Sequence, residues 1–291
     1  GRVVGSVSLA QQQRPRLVHS GMLGIMVHPD YWRTGVGTAL LAAILDLSDN
    51  WLNLLRVELG VHSNNPRAMR LYRKFGFELE GTKRMAVFGD GEFLDENVMA
   101  RLRDHVPAVE PGAAPEFTRR TDVSDITIRP LQVEDADALH IILSNPTVAR
   151  SLNQIPSLEI MDVQKKVEDG KPGLYRYSAV AKHENGSTKM VGNVTLHQSQ
   201  NPRLSHTADL GISVHPDYWG LGVGKRLMDA IVDLADNWLN LLRIELEVYT
   251  DNQAAVQMYQ NFGFEIEGTK RLFGYGDGHW SNTHFMARLQ P

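Results

Sequence analysis

The chain reads as an α/β protein of the α+β kind, built as two repeated units, each a mixed and mostly antiparallel sheet flanked by helices. Three observations predict this. First, Val4–Leu102 aligns with Val191–Leu289 at a constant offset and without a gap, and about 57 of 99 positions are identical. A repeat of that length is a duplicated domain, not a solenoid unit of roughly 20–50 residues. Second, short alternating segments and amphipathic segments of helical period follow one another within each repeat. Third, Gly and Asn-Gly turn signals separate them.

The second unit opens with "ITIRPL" (Ile126–Leu131), an alternating strand. "VEDADALHIILSN" and "LEIMDVQKKVEDG" follow as amphipathic helices, the latter ended by Gly170. "YRYSAVAKH" and "TKMVGNVTLH" form a hairpin around Asn185-Gly186, and "HTADLGISVH" adds a strand. A helix is expected from about Val223 to Trp238, with Leu227, Ile231, Leu234 and Trp238 on one face. "LLRIELEVY" reads as a buried strand, and "NQAAVQMYQNFG" as a helix closed by Gly263. A hairpin turning at Gly276-Asp277-Gly278 ends the chain. The order is β-α-α-β-β-β-α-β-α-β-β. The first copy starts only at the third strand, "RVVGSVSL", so its β-α-α-β portion is absent. The expected origin is one of three: roughly 60 further residues upstream, a deletion, or another chain that covers the open sheet edge. The domain boundaries expected are 1–103, a Pro- and Ala-rich linker over 104–124, and 125–291.

Composition narrows the function. There is no cysteine, which excludes disulfides, thiolate metal sites and cysteine nucleophiles. The net charge is −4 with no basic cluster, so nucleic acid is not an expected partner. No apolar run is long enough to span a membrane, no signal peptide is recognisable, and the expected compartment is the cytoplasm. No metal site is expected.

The chemistry sits where "LGISV" runs into "HPDYWGLGVGKRL". Gly222 and Gly224 let the backbone approach a diphosphate closely. The amides of Leu221, Gly222, Val223, Gly224, Lys225 and Arg226 would point at the anion from a helix N-terminus, and Lys225 and Arg226 add positive charge. In the first copy the same stretch is Thr34, Gly35, Val36, Gly37 and Thr38. A dinucleotide-binding Rossmann loop is excluded, because Leu227 occupies its third glycine position and hairpins precede it. The second signal is "DNQAAVQMY", with Asn252 seven positions before Tyr259, echoed by Asn65 and Tyr72 in "NNPRAMRLY". Seven residues is about two helical turns, so each pair shares a helix face. An N-cap for the asparagine and a core aromatic for the tyrosine are the structural alternatives.

These motifs resemble the GNAT superfamily of N-acetyltransferases, over Ile126–Leu289 in full and over Arg2–Leu102 from the third strand onward. The loop is written Q/R-x-x-G-x-G/A in that family; here it is "WGLGVG" and "WRTGVG", with tryptophan at the first position. The resemblance implies acetyl-CoA as cofactor and direct transfer of acetyl to an amine. It places Tyr259 and Tyr72 near the cofactor sulfur as proton donors. It also implies that a backbone amide near Val214, and near Val27 in the first copy, holds the carbonyl oxygen where two strands splay apart.

A carboxylate should take the proton of the attacking ammonium. Asp209, Glu245 and Glu247 are candidates, with His206 beside them, and surface or structural roles are open for each. In the first copy Met22, Gly60 and His62 replace Asp209, Glu247 and Tyr249, which suggests altered proton handling there. "NPRLSHTADLGISV" and its neighbours resemble the bacterial branch that acetylates free L-amino acids, so the expected substrate is a small primary amine, with Tyr177, Tyr275 and Trp280 as pocket aromatics. Acetylation of a protein N-terminus, polyamine or antibiotic, or a CoA-binding sensor or assembly module with a degenerate site, are the alternatives. The two copies are expected to pack as an internal pseudo-dimer, with further homo-oligomers open.

Overall fold

The structure, a computed structural model, describes residues 1–103 and 120–290; residues 104–119 of the expected linker lie outside the described residues. In chain order the first copy contains β1 (Gly5–Gln11), β2 (Ser20–Val27), α1 (Val36–Asn50), β3 (Arg56–His62), α2 (Pro66–Lys74), β4 (Glu78–Gly89) and β5 (Glu92–Leu102). Then follow β6 (Val123–Pro130), α3 (Ala136–Ser144), α4 (Pro146–Ala149), α5 (Ile160–Glu168), β7 (Leu174–His183) and β8 (Thr188–Gln198). The chain ends with β9 (Thr207–Val214), α6 (Val223–Asn237), β10 (Arg243–Tyr249), α7 (Gln253–Asn261), β11 (Glu265–Gly276) and β12 (His279–Leu289).

The mixed α/β class and the element order agree with the pattern of the sequence, with two differences. A one-turn helix, α4, forms in "NPTVA", where Asn145 caps it by accepting from Thr147 N and Pro146 sits at its first position. Trp238 is not on the buried face of α6. It is the C-cap residue, outside the helical turn, and is 77% exposed. The 3.6 period holds for Leu227 and Ile231, which are fully enclosed, and stops where the helix does. Burial of each such side chain contributes about 1.5–3 kcal/mol.

Contacts divide the described residues into two compact units: 1–103 with Glu267–His284, and 120–266 with 285–290. In the second unit the strand order is β6-β7-β8-β9-β10. One core of that unit lies under α6 and α7 and includes Val191, Val194, Leu227, Ile231, Ile244, Val256 and Phe264. A smaller one joins α3 and α5 through Leu139, Ile142, Val163 and Val167. In the first unit the order is β1-β2-β3-β5-β4-β11, with a core of Leu23, Leu41, Leu45, Leu59, Phe77 and Met99.

The first unit also buries charge. Arg56, its side chain fully enclosed, binds Glu80 Oε2 at 2.6 Å, Glu58 Oε2 at 2.8 Å and the Arg271 carbonyl at 2.7 Å. Lys270 Nζ stands 3.6 Å from Glu58 Oε1. Burial alone would raise the Glu58 carboxyl, but the Lys270 and Arg56 charges outweigh it and hold the group below its usual range. Repeat-related residues meet reciprocally within this unit: Gly81 pairs with Gly268, Arg84 Nε with Glu267 at 3.0 Å, and Arg271 Nε with Glu80 at 3.2 Å.

Candidate active site

In each copy two parallel neighbours part company. β9 and β10 pair only over Thr207–Asp209 and Arg243–Glu245, although β9 runs on to Val214 and β10 to Tyr249. β2 and β3 pair only over Ser20–Met22 and Arg56–Glu58 and then diverge in the same way. Both strands remain paired on their outer sides, so the opening is confined to the gap between them. His215 N donates to Val191 O on the β8 side. Successive strand amides point in opposite directions, so the Val214 N–H faces the gap. His28 N donates to Val4 O, which turns the Val27 N–H toward β3 by the same alternation.

The loop that follows is a self-bonded knot. His215 Nδ1 accepts from Asp217 N at 3.3 Å, capping the 3-10 turn Pro216–Tyr218. Burial lowers the His215 imidazole despite the nearby Asp217, which favours the neutral ring that can accept. The Trp219 indole Nε1 donates to Val214 O at 2.8 Å, and Trp32 Nε1 donates to Val27 O at the same distance. The tryptophan in place of Gln or Arg thus ties the loop to the strand end. Sequence reasoning missed both roles; the signal was the shared "HPDYW" of the two copies.

Gly222 caps α6 at φ +79° and Gly35 caps α1 at φ +92°, both with no side-chain cap. A Cβ on either would meet nothing within 4 Å. The next glycine also serves helix packing. A Cβ on Gly224 would stand 3.0 Å from Met258 Sδ, and one on Gly37 3.2 Å from Leu71, so this glycine brings the two helices together. The first turn of α6 leaves the Val223, Gly224 and Lys225 N–H groups without an intrahelical acceptor. Arg226 is excluded from that set: its N–H donates to Gly222 O at 3.0 Å and its guanidinium to Ile126 O at 2.6 Å. Lys225 pairs with Asp229 at 2.9 Å on an exposed face. In the first copy Ala39 N takes the place of Arg226 N, leaving Val36, Gly37 and Thr38, while Thr34 Oγ1 donates to Tyr31 O.

Asn252 and Asn65 cap α7 and α2 through Ala255 N and Ala68 N. Asn252 Nδ2 also donates to Ser151 Oγ at 3.3 Å, and the Tyr249 hydroxyl donates to Asn153 at 2.9 Å, so the α4–α5 loop is held against the end of β10. Tyr259 and Tyr72 are 6% and 7% exposed. Neither hydroxyl has a hydrogen-bond partner among the described residues, and neither is among the sealed, unpaired side-chain atoms there. Each is thus an enclosed ring with an accessible tip. Burial pushes both phenols up.

Asp209 and Glu245 are register partners at the closed end of the gap, and Glu245 holds Arg243 at 2.8 Å. Glu247, exposed and on the same face of β10, is the carboxylate that stands beyond the last pair, beside the opening. His206 lies before β9, where its carbonyl accepts from Leu242 N and Arg243 N. Tyr275 and Trp280 belong to the first unit, where their rings are 4.9 Å apart and Trp280 meets His19 edge-on at 4.5 Å. They are not part of the unit that holds Tyr177, because the tip of the last hairpin packs with the first unit.

Comparison with known proteins adds the following. Residues 1–77 and 154–264 match the acetyltransferase (GNAT) family. The L-amino acid N-acetyltransferase AaaT of Escherichia coli is 34% identical over 168 residues, spanning 58% of this chain and all of that protein. The mycothiol acetyltransferase of Saccharomonospora viridis is 27% identical over 258 residues, 87% of this chain and 73% of that one. Among solved structures, yncA from Salmonella typhimurium with its cofactor acetyl-CoA shares the fold at 19% identity and a TM-score of 0.50, over 57% of this chain and 94% of that one.

Proposed function

The chain belongs to the acetyltransferase (GNAT) family, and from that premise we propose that its second copy transfers acetyl from acetyl-CoA to the α-amino group of a small free amino acid. The observation that carries this is the gap between β9 and β10, with the Val214 N–H facing it and the N-terminus of α6 just downstream, open to an anion. The residues suit the cofactor: nothing fills the space over Gly222, and the amides of Val223, Gly224 and Lys225 are available to a pyrophosphate. Acetyl-CoA supplies the activated acetyl thioester.

The protein's own groups divide the remaining work. The Val214 N–H is a fixed donor for the charge that grows on the carbonyl oxygen. Glu247 takes a proton from the incoming ammonium, directly or through water, and so frees the attacking lone pair. Tyr259, its phenol raised by burial, stays protonated across neutral pH and gives that proton to the leaving sulfur. Asn252 fixes the start of the helix that carries Tyr259. Tyr249, Asn153 and Ser151 shape the wall where the amine enters. An internal pseudo-dimer of the two copies is part of this proposal. Sedimentation of the chain as a monomer at micromolar concentration would agree with it.

The test is CoA release from the full chain against a panel of amino acids, polyamines and aminoglycosides. The double substitution Tyr72→Phe with Tyr259→Phe should lower kcat about 10²-fold and leave acetyl-CoA affinity within about twofold. Turnover only with polyamines would overturn the amino-acid reading. An unchanged kcat in the double variant would overturn the tyrosine mechanism.

A further inference from the structure

The two copies differ by a paired exchange. Glu247 on β10 corresponds to Gly60 on β3, and Thr283 on β12 corresponds to Glu96 on β5. The first copy has lost a carboxylate from one strand and gained one on a neighbouring strand. The structure shows where the gained group goes. A Cβ built on Gly60 would collide with the Glu96 carboxylate, whose Oε2 would be 3.0 Å away. Glu96 pairs with His62 in the β3–β5 ladder, and Gly60 pairs with Val98, so the glutamate side chain leans back along the strand over the glycine.

The location matters. Gly60 lies past Glu58, the last β3 residue paired with β2, and so beside the open part of the gap. Val57, Leu59 and Val61 fill the core under α1, which puts Gly60 and the Glu96 carboxylate on the opposite face, the one Glu247 occupies in the second copy. Glu96 is partly exposed and has no hydrogen bond or ion pair among the described residues. The rest of the apparatus is present: the Val27 N–H turned toward the gap, the N-terminus of α1 with no side-chain cap, and Tyr72 with an unpartnered hydroxyl.

We infer that the first copy holds a second acetyl-transfer site, in which Glu96 stands in for Glu247 as the proton acceptor for a primary ammonium. The inference rests on the acetyl-transfer reading above. Glu96 accepts one proton from the ammonium. The neutral amine forms the carbon–nitrogen bond as the carbon–sulfur bond breaks. Tyr72 gives its hydroxyl proton to the departing sulfur and is reprotonated, through water, by the second proton that the nitrogen sheds as the amide forms; Glu96 releases the first to solvent, so one proton is set free per turnover.

The experiment uses the full chain carrying Tyr259→Phe, which silences the second site. CoA release with amines should persist in that background. Adding Glu96→Gln should lower the remaining kcat at least about tenfold while KM for acetyl-CoA stays within about twofold. Equilibrium dialysis should show as much acetyl-CoA bound with the Glu96→Gln substitution as without it, and the far-ultraviolet circular dichroism should not change. Transplanting the second copy's arrangement, Gly60→Glu with Glu96→Thr, should restore turnover in the same background. The inference is overturned if Tyr259→Phe alone falls to the level of the Tyr72→Phe, Tyr259→Phe double variant, or if Glu96→Gln leaves the residual rate unchanged. If the unmodified chain turns over no amine at all, the acetyl-transfer reading itself fails, and that outcome is distinct from either.

Discussion

Tyr259 and Trp219 show how differently two aromatic residues can serve one loop-and-helix unit. Tyr259 is enclosed, and burial disfavours its phenolate, so in the proposed mechanism its proton is kept for the leaving sulfur. The pH profile of kcat should therefore show no loss from tyrosine ionisation below pH ~10, the ordinary value of that group. Trp219 commits its indole N–H to Val214 O. Trp219→Phe keeps an aromatic ring and deletes that bond, and should cost about 1 kcal/mol in thermal unfolding. It should also weaken acetyl-CoA binding at the second copy while leaving the first copy, with Trp32, as it was. The asparagine–tyrosine pairs were picked out by the family resemblance, and helical spacing adds that each pair shares one face. The tryptophan and histidine bonds were not, since an indole–carbonyl bond depends on loop geometry that no periodicity encodes.

At the scale of elements, the gap and the glycine cap form one device. Strand pairing that stops at Asp209 and Glu245 exposes strand amides, and the chain then turns through a left-handed glycine into a helix whose first amides are free of side-chain caps. Gly222→Ala forces an L side chain into φ +79°, at a cost of about 1–2 kcal/mol. The measurable result is a lower melting temperature together with weaker acetyl-CoA binding. Gly224→Ala should act differently, by pressing on Met258 and shifting α7 with its Tyr259, so that kcat suffers more than acetyl-CoA affinity. Helices and hairpins were readable from period and turn residues. Trp238 continues the apolar period of α6 as its C-cap, with its N–H still bonded to Leu234 O, yet its ring is exposed. Where a parallel pair separates is a property of the register between distant segments and leaves no local trace in either strand, so the splay near Val214 was expected from the family resemblance and not from the strands themselves.

For the whole molecule, duplication was visible in the sequence, whereas the grouping of Glu267–His284 with the first unit was not. Nothing in the hairpin's own residues announces that Arg271, Lys270 and Glu267 meet Glu80, Glu58 and Arg84. That cluster makes the first unit acid-sensitive. Glu58 has its carboxyl held low in the folded state, so its contribution is present above the unfolded value of roughly 4.3 and is lost as pH falls through the folded value. Chemical unfolding midpoints should drop in that acidic window. Glu80→Gln leaves Arg56 buried with one charge fewer and should cost about 3–5 kcal/mol, whereas removing the exposed Lys225–Asp229 pair should cost no more than about 1 kcal/mol.

Both copies keep a helix that begins at a left-handed glycine, without a side-chain cap, beside a strand gap, and the proposal that this start holds an anion is the foundation of the functional reading. Calorimetric titration of the full chain with acetyl-CoA tests it most directly. Two molecules should bind per chain, falling to one when Gly222→Val blocks the second copy's loop. Absence of binding heat, or a stoichiometry of two that survives the substitution, would contradict it.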